Sequence, residues 1–301
     1  MRRLGIAAGL LLAALGAEAA NFGSSAVGTT AAGFLDLGAG ARAVGMGGAY
    51  SAAADEATAL YWNPAAMTQV QSRSVTLMHA AYIASSFYDY GSYVQNTGKY
   101  GAFGVGLQYF SFGSVNETDE NFNSIGTVTP YDLAASAGYA YKFGTGFALG
   151  LAGKFIQSKL ADTAQTEAAD FGMLSPRFLD GRLRLAVTAQ NLGGALKYDQ
   201  VAEPLPMAFK AGASFFITPK WLAALDAGAP KGGSPYVNAG TEYFLAAGEA
   251  WWFAGRAGFS SQDDSPSAGV GVGCKGMSVD YAFVPYNYLG DVHRISLTFN
   301  F

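Results

Sequence analysis

The end of the chain alternates without a break. His293, Ile295, Leu297, Phe299 and Phe301 fall in one phase; Arg294, Ser296, Thr298 and Asn300 fall in the other. Period two is the repeat of a β-strand, whose successive side chains leave on opposite faces. The same period recurs from residue 70 onward, for example in Phe103, Val105, Leu107 and Tyr109 against Ala102, Gly104, Gly106 and Gln108. The pattern predicts fourteen strands, at 73–84, 86–96, 100–112, 128–142, 146–158, 165–178, 182–192, 205–217, 220–229, 234–245, 250–260, 266–275, 277–285 and 290–301. Most are longer than the roughly 9–11 residues with which a tilted strand crosses a bilayer.

One phase of these strands is apolar, and charged residues make up only 13% of the chain, about half the usual share of a soluble domain. Forty glycines and 17 tyrosines accompany them. An apolar outer phase with a polar inner one is the signature of an outer-membrane barrel. After the start of the chain, no apolar run reaches the roughly 20 residues of a membrane-spanning helix. The expected fold is all-β: a transmembrane antiparallel β-barrel of about fourteen strands. Tight turns are expected after even-numbered strands (Thr97-Gly98-Lys99, Gly144-Thr145, Asp180-Gly181, Pro219, Gly248-Glu249, Gly276). Longer polar loops are expected after odd-numbered strands, at 113–127, 159–164, 193–204, 230–233, 261–265 and 286–289, with only the first, near Ser85, short. Outer-membrane barrels place short turns in the periplasm and long loops outside. An even strand count then puts both chain ends on the periplasmic side. A soluble β-sandwich is the rival, and it does not explain one-sided loops or an apolar outer face.

Residues 1–19 read as a cleavable signal peptide, with Arg2 and Arg3, an apolar run from Leu4 to Leu15, and Ala17-Glu18-Ala19 as cleavage site. Residues 20–70 are expected to form a plug and 71–301 the barrel, in an outer membrane. Cleavage changes the net charge from −4 to −5, since 18 − 2 = 16 basic and 22 − 1 = 21 acidic residues remain. That balance does not suggest a nucleic-acid partner. The single Cys274 excludes an internal disulfide and a cysteine-based metal cluster.

The inward phase carries Asp89, Lys142, Lys154, Asp170, Arg184, Lys210, Asp226, Glu242, Arg256, Asp280 and Arg294. Unpaired charges in a narrow lumen are costly. Salt-bridge ladders and contacts to a plug are therefore expected, with a part in ligand passage as the other reading. Many inward residues are small, including Gly104, Gly150, Gly212, Gly269 and Gly271. The room they leave is to be filled by water, a plug or a ligand.

Residues 33–68 break the pattern. They are rich in Gly and Ala and lack period two. Asp55 is a candidate cap for a helix over 56–60. Pro64 disfavours helical geometry at Asn63, and Asn63 is placed to cap a second short helix with Pro64 in its first position. Arg42, Asp55 and Glu56 are the plug charges expected to meet the wall. Phe34, Leu37, Met46, Tyr50, Tyr61, Trp62 and Met67 are either plug core or a surface for a hydrophobic ligand.

GARAVGMGGAYSAAADEATALYWNPAAM, with its Asn63-Pro64-Ala65 triplet, resembles the N-terminal segment of PorV/PorQ-type proteins of the FadL-like barrel group. NLGGALKY, EPLPMAFKAGASF and DYAFVPYNYLGDVHRISLTF are similar to later blocks of that family. The resemblance implies a partner in type IX-like secretion that receives exported proteins at the outer membrane. A FadL-like relative instead implies a channel for fatty acids or other hydrophobic solutes, with a sideways exit. A break in the wall near Phe171, Ser175 and Pro176 is the best candidate for that exit, because Pro176 cannot donate to a ladder. The C-terminal residues Ile295, Leu297, Phe299 and Phe301 resemble the signal read by barrel-assembly machinery. Expected partners are thus outer-membrane lipid, that machinery, and either secreted proteins with secretion components or a hydrophobic small molecule.

Little points to catalysis. Gly38-x-Gly40-x-x-Ala43 matches a dinucleotide fingerprint by letters but lacks the strand and βαβ unit that it needs. His79 and His293 have no metal-ligand spacing, and no G-x-S-x-G elbow is present. No cofactor or metal is expected, and an outer-membrane lipase is the remote enzymatic alternative.

Overall fold

The computed structural model describes residues 30–160, 162–198, 201–247, 250–286 and 290–301. The signal-peptide segment and the Gly248-Glu249 turn lie outside them. Fourteen strands form one closed antiparallel barrel: β1 (Arg73–Ala81), β2 (Phe87–Asn96), β3 (Ala102–Ser111), β4 (Tyr131–Lys142), β5 (Ala148–Lys159), β6 (Thr163–Leu174), β7 (Leu183–Gly193), β8 (Ala208–Thr218), β9 (Trp221–Pro230), β10 (Tyr236–Ala247), β11 (Trp251–Ser260), β12 (Ser265–Cys274), β13 (Met277–Tyr286) and β14 (Gly290–Asn300). Each pairs with its sequence neighbours, and β1 closes on β14 through Ser74↔Asn300 to Ala81↔His293. Arg73 and Phe301 exchange both backbone hydrogen bonds at 3.0 Å, so the final residue seals the seam. Closure leaves no unpaired strand edge, which a bilayer would not tolerate.

Leu77, Val105, Leu107, Leu151, Leu225, Val270 and Ile295 are exposed on the outer face. Ser74, Gln108, Lys154, Glu242 and Arg294 are buried on the inner one.

Several strand ends differ from the expected ones. The strand predicted at 165–178 stops at Leu174, because Pro176 cannot donate and the chain turns away. The predicted strand 128–142 begins at Tyr131. Two connections carry most of the length asymmetry, 112–130 and 194–207. Each holds a small hairpin, Val115–Thr118 with Ser124–Val128, and Ala195–Lys197 with Ala202–Pro204. The connections 160–162 and 261–264 are short, since the flanking strands, β5 with β6 and β11 with β12, extend the wall up to them.

Residues 31–70 fill the lumen as a chain of short turns and helices: Gly33–Asp36 (3₁₀), α1 (Ala41–Gly45), α2 (Ala59–Trp62) and Pro64–Gln69 (3₁₀). Ala31 donates to the Pro204 carbonyl in the hairpin of the 194–207 connection. The described chain therefore starts at the long-loop end and descends through the barrel to β1. Asp55 caps no helix. The N-cap of α2 is Thr58, without a side-chain bond; Asp55 is drawn to Arg42 instead.

Candidate functional site

The interior is a contact between plug and wall, built largely from glycine. A Cβ on Gly150 would overlap the Pro64 carbonyl carbon and the Ala65 amide. On Gly172 it would overlap Asn63 Oδ1, on Gly240 the Met46 carbonyl, and on Gly258 the Gly47 amide. The small inward residues are thus where plug backbone lies directly on the wall.

Asn63 is the hinge of this contact. It has an extended backbone and caps the 3₁₀ turn by accepting from Ala65 N at 3.0 Å. Its amide donates to the carbonyls of Ser51 (2.9 Å) and Met173 (3.3 Å), the latter on β6. Pro64 follows at N1, where a missing N–H costs nothing. The Asn-Pro-Ala triplet therefore ends α2, starts the next turn and ties both to the wall.

Charge completes the attachment. Arg42 meets Glu242 of β10 through two bonds of 2.8 Å and Asp55 through one of 2.5 Å, with Glu56 at 3.7 Å. Glu242 also accepts from Arg256 at 2.7 Å, and Arg256 reaches Asp280 at 2.7 Å. Four acids thus share two guanidinium groups, with both side chains of the Glu242–Arg256 pair fully buried. Excess acid in a dry site favours a retained proton. Burial pushes the Glu56 carboxyl up to about 7, against the pull of Arg42.

The other predicted lumen charges divide. Lys154 pairs with Asp170 at 2.8 Å. Asp226 accepts from the Tyr50 and Ser51 amides at 3.2 and 3.0 Å. Arg294 donates to the carbonyls of Leu37 and Gly38 at 2.6 and 2.9 Å, and to Tyr82 at 2.7 Å. Lys210 lies over the Trp62 ring, 5.5 Å from its centroid. Arg184 is half-buried on the inward phase and feels Asp55 only at a distance, outside salt-bridge range. Lys142 keeps the inward phase but sits exposed at the barrel end. Asp89 is a correction: it faces outward and bonds His79 at 2.6 Å. One position sets its side, and the inward side there belongs to Tyr88 and Tyr90.

Phe34, Met46, Tyr50, Tyr61, Trp62 and Met67 are buried in the plug core, with Leu37 packed partly against it. Tyr61 and Trp62 stack edge-on at 5.0 Å, and Trp62 Nε1 donates to Ala39 O at 2.7 Å. A cavity of about 60 Å³ remains beside them, lined by polar groups that include Asp36, Lys210, Asn238, Asp263 and Arg294. Drug-sized ligand sites span about 300–1,000 Å³, so this space is too small for a fatty acid. A larger depression, about 460 Å³, is lined by Trp221, Thr241, Tyr243, Gly255 and Ala257, mostly outward-phase residues. It is a dent in the lipid-facing wall.

The wall stays paired around Ser175. Leu185 N donates to the Ser175 hydroxyl at 2.9 Å, and Ser175 N to the Leu185 carbonyl at 2.9 Å. The irregularity lies deeper, where Gln190 and Asn191 of β7 oppose Asp170 alone. Asn191 takes a φ of 56°, and its amide donates to Asp170 Oδ1 at 2.8 Å.

Both histidines face outward, with Asp89 and Tyr281 as partners. Among the described residues no cluster of three or more His, Cys, Asp or Glu is placed to hold a metal.

A family profile described as "Type IX secretion system protein PorV" matches residues 20–221. No curated protein sequence matches the chain. Among solved structures, the barrel is similar to the Ralstonia pickettii toluene transporter TbuX (14% identity, TM-score 0.60, covering 88% of this chain and 98% of that one). It is also similar to the Pseudomonas putida toluene transporter TodX (13%, 0.61, 88% and 99%). A Pseudomonas aeruginosa FadL homologue matches as well (10%, 0.55, 85% and 96%). At these identities the likeness is one of fold. The closed barrel, its apolar outer face and these relatives indicate an outer-membrane location.

Proposed function

Since the chain belongs to the PorV family of type IX secretion system proteins, we propose that it handles exported proteins at the outer membrane, receiving them and passing them to surface machinery. Its work is done on its exposed surfaces and loops, not by conduction through its centre. The observation that carries this reading is the occupied lumen: plug backbone rests on wall glycines at Gly150, Gly172, Gly240 and Gly258, and the polar cavity beside Trp62 is small. Residues 1–19 act as the cleaved export leader, residues 20–70 as the plug and residues 71–301 as the barrel. The C-terminal residues Ile295, Leu297, Phe299 and Phe301 guide assembly.

The test is purification of the tagged protein from outer membranes after mild cross-linking. Co-purifying secretion components and exported proteins, with loss of export in a strain lacking the chain, support the reading. Stoichiometric bound fatty acid with normal export replaces it with hydrophobic-solute uptake.

A further inference from the structure

The longest connection, 112–130, carries a hairpin whose strands, Val115–Thr118 and Ser124–Val128, are exposed along most of their length. A lone two-stranded hairpin is marginal in water, yet the tip of this one is fastened. Asp119 Oδ1 accepts from the amides of Asn121 (2.8 Å) and Asn123 (2.9 Å), and Oδ2 accepts from the Asn123 side chain at 3.0 Å. The Asp119 amide donates to the Asn123 carbonyl, and the Phe122 amide to the Asp119 carbonyl, both at 3.0 Å. Phe122 is held inside this clasp at φ 63°, a left-handed conformation that bulky residues avoid. The residue is 89% exposed. Val115 and Ile125 are also exposed. The 112–130 segment holds Glu117, Asp119 and Glu120 and no Lys or Arg.

An aromatic residue carried into water on an ordered turn is the form of a binding anchor, because the backbone ordering cost is met before contact. We infer that this hairpin docks a protein partner outside the membrane, with Phe122 entering an apolar pocket rimmed by Lys or Arg. The inference rests on the secretion reading only for where that partner comes from. The acids decide the class of occupant. An anionic lipid surface attracts basic segments and repels this one. A second copy would bring the same acidic tip against it. Residues 20–29 of this chain carry no charge to complement it.

The experiment places a photo-cross-linking phenylalanine analogue at Phe122 in the full chain in living cells, with Lys231 as a control site on another outer loop. The expected result is a discrete protein adduct from position 122 and none from 231. That adduct should fall about tenfold in Glu117→Lys/Glu120→Lys, as expected of a charge-steered contact with a central anchor. Asp119→Ala should weaken it and Asp119→Asn restore part of it, because the amide oxygen still accepts. Heat-modifiable mobility on gels confirms that each barrel has folded. Adducts with lipid only, with a second copy of this chain only, or with a yield insensitive to charge reversal overturn the proposal. So does normal export in Phe122→Ser when deletion of the whole chain abolishes export; the secretion reading then stands alone. A charge-dependent adduct in a strain whose export does not need the chain supports the docking role and removes the secretion reading.

Discussion

Arg42 of the plug and Glu242 of the wall face each other in a two-point ion pair, Nε to Oε1 and Nη2 to Oε2, each at 2.8 Å. The pair joins segments two hundred residues apart and links the plug to the barrel through two charged hydrogen bonds. Removing Arg42 leaves Glu242 to Arg256 alone and takes the guanidinium from Asp55 and Glu56. Arg42→Met is therefore expected to destabilise the plug by less than the about 3–5 kcal/mol of a fully broken buried pair, while Arg42→Met/Glu242→Gln recovers part of the loss. Hydrogen exchange of residues 41–62 reads the effect, and unchanged gel mobility of the folded barrel shows that the wall is intact.

The glycine contacts make a steric prediction. Gly150→Val puts branched carbon where Pro64 and Ala65 now lie, and the rigid turn cannot retreat without losing the Asn63 bonds. The plug should be displaced and the purified protein should conduct ions in planar bilayers, where the wild type is expected to stay closed. Asn63→Ala/Pro64→Ala should leak as well, the lost cap alone costing about 0.5–2 kcal/mol. Equal conductance of all three proteins would contradict the role of this contact.

Acidity should tighten the plug. Burial raises the carboxyls of Glu56 to about 7 and Asp36 to about 6, from 4.5 and 3.8. The folded plug thus keeps protons that the unfolded one has released. Stability is fully present below pH 4, falls as pH rises toward 7 and is level above it. Plug protection measured at pH 5 should exceed that at pH 8. Glu56→Gln should flatten most of the difference, whereas an unchanged slope would assign it elsewhere.

Orientation is open to a direct test. A protease site at Asn121 should be cut on intact cells, and sites at Gly98 or Asp180 should be cut only after lysis. Cleavage in the reverse pattern would turn the barrel over.

Alternation alone specified the fourteen strands, because period two is a local property and an apolar phase facing lipid repeats it on every strand. The Asn63 cap was legible for the same reason: a cap depends on its next two or three residues. Position along the inward face failed locally at Asp89, where one polar residue on the outer wall pairs with His79 across the neighbouring strand. The Asp55 cap failed because a distant guanidinium outcompeted a local amide for the carboxylate. Phe122 carried no periodic signal, since its exposure follows from a clasp made by Asp119.

The sequence by itself determined that this chain builds a barrel with charges inside and an irregular segment before it. Only the tertiary structure decided what fills the barrel. Glycine, read along the chain, is silent about its neighbours; closing the wall brings Gly150, Gly172, Gly240 and Gly258 onto the plug backbone. Which acid meets which base was decided the same way. Coulomb energy depends on separation and burial, and strand pairing and plug placement set both only once the barrel has closed.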